Sequence, residues 1–149
     1  MEFSPFRELK MDVNTAERRI LPSECNRKAT LVPAEQPYRP HPERFEKWRQ
    51  VLGTEGLTGR CYWEVQWSGV VHVGVTYKEI RREGQNDHSR LGWNNKSWSL
   101  NCSKPTAWHN GKGFALLAVP NKEGLGVHLD WPAGILSFYN IHPGKDMQW

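Results

Sequence analysis

No apolar run in the chain is long enough to cross a bilayer as a helix. The longest, Phe114 to Val119, has six residues, where about 20 are needed. The opening Met-Glu-Phe-Ser-Pro-Phe-Arg-Glu mixes charges and a proline where a secretory leader requires an apolar segment, so a cytoplasmic location is expected. Cysteine is scarce: Cys25, Cys61 and Cys102 are odd in number and widely spaced, which argues against a disulfide framework and a Cys-rich zinc site. Catalytic signatures are missing too. There is no Gly-x-Ser-x-Gly elbow, no Gly-x-x-x-x-Gly-Lys phosphate loop, no His-Glu-x-x-His and no Gly-x-Gly-x-x-Gly, so no enzymatic activity is expected. Asp87-His88-Ser89 are contiguous, whereas a catalytic triad needs groups converging from separate elements. His41, His72, His88, His109, His128 and His142 include no pair at ligand spacing on one element, and no metal or cofactor is expected.

Charge of one sign is also lacking. Against 20 Lys and Arg stand 16 Asp and Glu, a net +4. The basic pairs Arg18-Arg19, Arg27-Lys28 and Arg81-Arg82 are interrupted by Glu17, Glu24 and Glu83. No basic stripe forms, and no nucleic-acid partner is expected.

What is present is one domain's length, 149 residues, with ordinary charge content and 8 Trp. Helical spacing occurs only around Glu43 to Val51, where Phe45, Trp48, Val51 and Leu52 suggest a turn or two. The rest reads as strand and turn. Cys61, Trp63, Val65 and Trp67 alternate with Tyr62, Glu64 and Gln66, which predicts a half-buried strand with the first set inward. Val71, Val73 and Val75 mark the next inner face, with His72 directed to solvent; Val127, Leu129 and Trp131 mark another, with His128 outward. Ile135 to Ile141 returns from it as a hairpin partner across Pro132-Ala133-Gly134. Weaker strands are expected at 18–21, 28–32, 97–102, 106–110 and 114–119. Short strands without crossover helices define an all-β, antiparallel β-sandwich. Trp63, Trp67 and Trp131 are its expected core anchors. Two polar segments, 78–90 and 103–112, are the expected recognition loops, the second carrying Trp108 and His109, and the proline- and charge-rich segment 36–44 is a third candidate.

Three segments together resemble the PRY-SPRY domain family. Met11-Asp12-Val13-Asn14-Thr15-Ala16 is similar to its opening Leu-Asp-Pro-x-Thr-Ala motif, Trp63-Glu64-Val65 to its Trp-Glu-Val strand, and Leu129-Asp130-Trp131 to its third motif. The physical role of these residues is architectural: Asp12, Asn14 and Thr15 are turn formers, and Trp63 and Val65 point inward. The resemblance divides the chain into an N-terminal extension at 1–8, a PRY part at 9–58 and a SPRY part at 59–149. The text at 39–67 and 92–100 particularly resembles the version found in fish, at the C-termini of NACHT leucine-rich-repeat receptors, tripartite-motif ligases and stonustoxin-like venom subunits. Val13 replaces the usual proline, and loosens only local stiffness. A full family domain continues past the 135–141 strand. The chain is therefore expected to lack closing strands, and to be marginally stable or prone to associate.

The resemblance implies a non-catalytic module that binds a protein or peptide through sandwich loops, in an intracellular innate-immune setting. It places Lys78, Asn101 and Ser103 where relatives contact ligands. Arg81, Arg82, Trp108 and His109 complete the expected surface, whose charges suit an acidic or mixed partner. A stonustoxin-like reading implies an assembly or attachment domain of a pore-forming subunit, and a third reading is a carbohydrate-binding sandwich. The module is expected to be monomeric unless missing strands promote association. No ligase activity is expected, because no zinc-binding ring is present in the 149 residues.

Overall fold

The computed structural model describes residues 9–141. Eleven strands run in the order β1 (Met11–Asp12), β2 (Ile20–Ser23), β3 (Lys28–Leu31), β4 (Leu52–Gly53), β5 (Arg60–Val65), β6 (His72–Thr76), β7 (Ser97–Asn101), β8 (Thr106–His109), β9 (Lys112–Ala115), β10 (Leu125–Asp130) and β11 (Ile135–Asn140). All pairings are antiparallel. A four-stranded sheet, β6-β7-β8-β9, and a three-stranded sheet, β11-β10-β5, form the sandwich; β2-β3 and β1-β4 are small N-terminal ribbons.

The alternation in the sequence fixes which side chains meet between the sheets. Cys61, Trp63 and Trp67 from one side join Leu125, Val127 and Leu129, and pack with Leu100 and Cys102 of the facing sheet. Trp67 lies past the end of β5 but stays inside because its indole N–H donates to the Asn121 carbonyl at 3.0 Å. Burial raises the Cys102 thiol to about 11. In the outward set, Tyr62 is 3% exposed: its ring covers Gly126, where a Cβ would stand 2.6 Å from the phenol oxygen. Burial, and then the hydrogen bond to Glu64, push that phenol well above its ordinary pKa.

Three sequence expectations need correction. The segment 43–51 contains no helix. Its amides are drawn to other segments: Phe45 N–H donates to Thr15 O and Glu46 N–H to Arg82 O, at 3.0 and 2.9 Å, so the bonds that would close a helical turn are not made. The strand expected over 114–119 stops at Ala115. Trp131 is 45% exposed instead of buried, because β10 ends at Asp130 and the two-residue periodicity ends with it.

The opening motif is a 3-10 turn at Val13–Thr15. Asp12 caps it by accepting from Asn14 N–H at 3.1 Å. The Thr15 hydroxyl donates to Asp12 O at 2.7 Å and accepts from Leu52 N–H at 2.9 Å. Arg44 is buried beneath this turn, donating to the carbonyls of Val13, Ala16 and Arg39. The N-terminal ribbons reach the sandwich through Gln50, which donates to Ser89 O and accepts from Leu91 N–H, each at 2.8 Å.

Candidate recognition surface

Register across the four-stranded sheet sorts its residues into rows. Val73, Leu100, Ala107 and Phe114 form one, and Val75, Trp98, His109 and Lys112 another. Leu100, Val73 and Val75 belong to the core, so these rows face the interior. The alternate rows therefore face outward: His72, Asn101, Thr106 and Ala115; then Gly74, Ser99, Trp108 and Gly113; then Thr76 and Ser97.

The segment that follows the Asp87–Ser89 3-10 turn is fastened over part of this outer face. Gly92 has φ +89° and touches the sheet so closely that a Cβ would stand 2.3 Å from Ser99 Oγ. Gly92 N–H donates to Ser97 Oγ at 2.7 Å. The Asn94 amide donates to the carbonyls of Asp87, His88 and Arg90 while its oxygen accepts from Lys96 N–H and Ser97 Oγ. Trp93 stacks on Trp108 with centroids 4.6 Å apart and planes 20° apart. The Arg90 guanidinium lies 4.2 Å from the Trp93 ring and 4.7 Å from that of Trp48. The six-membered part of the Trp108 indole also covers Gly113, where a Cβ would stand 2.9 Å from it. A Trp48–Arg90–Trp93–Trp108 ladder results, a rigid aromatic and cationic wall.

Beside that wall the face is open. His72 is exposed, Asn101 and Thr106 half-buried, and the three are register partners in one row. Asn101 Oδ1 accepts from Ser103 N–H, Ser103 Oγ and Lys104 N–H, so it shapes the β7–β8 turn and fixes Ser103 next to the row. The His72 imidazole is held below its usual pKa, by desolvation first and the Arg90 guanidinium second. Sequence reasoning passed over His72, Arg90, Trp48 and Trp93. Alternation gave the direction of His72, but its partner Asn101 is visible only in the register.

The remaining expected contact residues lie elsewhere. Lys78 and Arg81 are exposed and follow β6 at the end where Thr76 pairs with Ser97. That end is about 13 Å along the strand from Asn101, at roughly 3.3 Å per residue. Lys78 is 3.7 Å from Glu43. Arg82 does not stand on the surface: it is 9% exposed, donates to the carbonyls of Ile80, Glu43 and Lys78, and lies over the Phe45 ring. It fastens the loop to the N-terminal segment. His109 follows Trp108 but points to the opposite face, stacked on Trp98 at 4.4 Å with planes 2° apart. Its Nδ1 is 2.8 Å from Ser97 O, an acceptor, so that nitrogen carries the proton. Tyr77 links Trp98 to Trp131, meeting the latter edge-on at 5.4 Å. In the third motif Leu129 is core, and Asp130 pairs with Arg60 at 3.4 Å and accepts from Ala133 N–H. Glu64 is exposed and receives the Tyr62 hydroxyl.

Residues 9–57 match the SPRY-associated domain, PRY, and residues 60–148 the SPRY domain. The chain is 44% identical to neoverrucotoxin subunit beta of Synanceia verrucosa over 140 residues, covering 91% of this chain and 20% of that protein. It is 40% identical to tripartite motif-containing protein 16 of Mus musculus over 139 residues, covering 90% and 25%. Among solved structures, stonustoxin superposes with a TM-score of 0.84 at 43% identity, over 92% of this chain and 22% of that one. The PSpry domain of TRIM65 gives 0.80 at 30%, over 93% and 74%. The chain thus spans about a fifth to a quarter of the length of these two curated relatives. It belongs to the PRY-SPRY family of β-sandwich domains, which are in general non-catalytic protein-interaction modules.

Proposed function

We propose that the chain recognises a protein or peptide through the open part of its outer sheet face, with Trp108 as the apolar anchor and His72, Asn101, Thr106 and Ser103 as the polar rim. The observation that carries this is the register that sets His72, Asn101 and Thr106 in one row beside a Trp108 already locked by stacking and by Gly113. A pre-positioned aromatic loses little entropy on binding and is a favoured hot spot. Lys78 and Arg81 stand apart from this patch, so a preference for an acidic partner is not built into it. The setting we assign is intracellular innate-immune capture in the cytoplasm, in line with the tripartite-motif relatives; any chemistry on the captured partner belongs to other domains.

A direct test selects peptides from a random display library on the immobilised chain, then measures their affinity for variants. His72→Ala is expected to weaken binding about five- to tenfold, and Lys78→Ala to change it less than twofold. The reverse order would refute the placement. The venom relatives support a second reading, a domain of a subunit in a cytolytic assembly, since cytolytic toxin-beta of Scorpaena plumieri is 39% identical over 142 residues. Under that reading the same face would bind another subunit and select no free peptides.

A further inference from the structure

Arg18, Arg19, Arg44 and Arg82 are buried or half-buried, and each has partners for its guanidinium. Arg18 donates to Tyr38 O, and Arg19 pairs with Glu17 and Glu35. Arg44 and Arg82 donate to main-chain carbonyls. Arg90, also half-buried, is the exception. Its main chain is engaged, the N–H donating to Asp87 O and the carbonyl accepting from Trp93 N–H and the Asn94 amide. Its guanidinium makes no hydrogen bond or ion pair among the described residues. What it touches is two indoles, Trp48 at 4.7 Å and Trp93 at 4.2 Å. Both rings are themselves fixed, Trp48 by its N–H donating to Asn86 O at 2.8 Å and Trp93 by its stack on Trp108. The cation is thus held by aromatic rings while its N–H donors stay open.

Arg90 also acts on the open patch through its charge. After desolvation, it is the second cause of the lowered pKa of His72, which shares a row with Asn101 and Thr106. The imidazole is therefore neutral at pH 7, and Lys78 and Arg81 lie past the other end of β6. Lys104 stands exposed on the β7–β8 turn, a point charge on a flexible stem without the planar fork of an arginine. The patch thus has no charge of its own and one fixed guanidinium in its wall. We propose, building on recognition through this face, that Arg90 is its specificity-determining residue: it takes one carboxylate of the bound peptide, from an Asp or Glu side chain or a free C-terminus, while Trp108 takes the neighbouring apolar group. A guanidinium presents its donors in a fork that a carboxylate meets bidentately. A phosphate dianion draws on a cluster of arginines, and the ladder holds one. What is selected is a single carboxylate at a set distance from an apolar anchor, not an acidic stretch. Contact with Trp48 and Trp93 has already ordered the side chain, so little rotamer freedom is lost on binding.

Affinity selection on the full chain from two synthetic peptide libraries tests the proposal. The libraries are equal in length, but the second lacks Asp and Glu and ends in an amide. The first is expected to yield binders that share one carboxylate at a constant spacing from an apolar residue, and the second none within about tenfold of their affinity. Replacing Asp by Asn or Glu by Gln in a selected peptide, or amidating its C-terminus, identifies which carboxylate is read. On the original chain the change that removes it should weaken binding about tenfold or more. On Arg90→Gln, shown to be folded by circular dichroism, the same change should cost less than about twofold. If Arg90 only props the ladder, Arg90→Gln will weaken all peptides alike and leave the tenfold loss in place, which overturns the assignment. Equal affinities from the two libraries would overturn it while leaving peptide recognition by this face standing. Binders from neither library would remove that reading and the assignment together.

Discussion

The outer face and the free edge of the four-stranded sheet both expose aromatic and apolar groups, but they do so for different reasons. On the outer face Trp108 is held by the Trp93 stack and by close packing on Gly113, and the segment that carries Trp93 is tied down through Asn94 and Gly92. Its exposed surface is part of an arrangement already made, which suits recognition. At the edge Phe114 and Leu117 project from an ordered strip, with no strand over them among the described residues; Phe114 continues the interior row of Val73, Leu100 and Ala107 but has few partners of its own. Exposure alone does not distinguish the two. What does is whether the side chain's contacts within its own chain are complete.

The largest expected effect is at Gly92. Gly92→Ala would force a side chain to within 2.3 Å of Ser99 Oγ at φ +89° and is expected to cost about 3 kcal/mol or more in urea unfolding, with loss of the ladder and of peptide binding. Arg82→Ala comes next. It strands three carbonyls that the guanidinium now satisfies, for an expected loss of about 2–3 kcal/mol. Arg81→Ala, one residue earlier and exposed, should stay within about 0.5 kcal/mol. Equal losses at the two positions would show that Arg82 is not the internal tie described above.

Thiol titration sharpens the same contrast without mutation. Cys25 is exposed while Cys61 and Cys102 are buried, and burial also raises the Cys102 pKa. One thiol in three should react with an aromatic disulfide reagent in the native chain, and all three after denaturation. The smallest effect concerns His72. Its folded pKa lies below the reference value of 6.5, so the fold favours the neutral ring. Its contribution to stability is complete above pH 6.5 and declines as pH falls, because the unfolded chain takes up the proton more readily. A ring-proton titration by NMR should give a midpoint under 6.5, and Arg90→Ala should move it upward.

The sandwich was legible wherever side chains alternate within a strand. Trp63, Trp67, Val127 and Leu129 were placed inside from spacing alone, and the β10–β11 hairpin from its turn residues. Reading failed where the pattern was carried past the end of an element, as at Trp131, or where a buried guanidinium is held by main-chain carbonyls, one of them 39 residues away, as at Arg82. Helical spacing near Phe45 misled because its amides bond to residues 15 and 82. The recognition face was half legible. Asn101, Ser103 and Trp108 were singled out in the sequence, but His72 joins them only through strand register, and Arg90 and Trp93 only through the fold of a loop that no periodicity describes.

Trp108 and His109 give the most direct test of the account, because they are neighbours in sequence on opposite faces of one strand. With a peptide selected on the intact chain, isothermal titration of Trp108→Ala and His109→Ala, each shown to be folded by circular dichroism, should give at least a tenfold loss of affinity for the first and less than a threefold change for the second. Equal losses, or the larger loss at His109, would contradict a recognition surface on the outer face of the sheet.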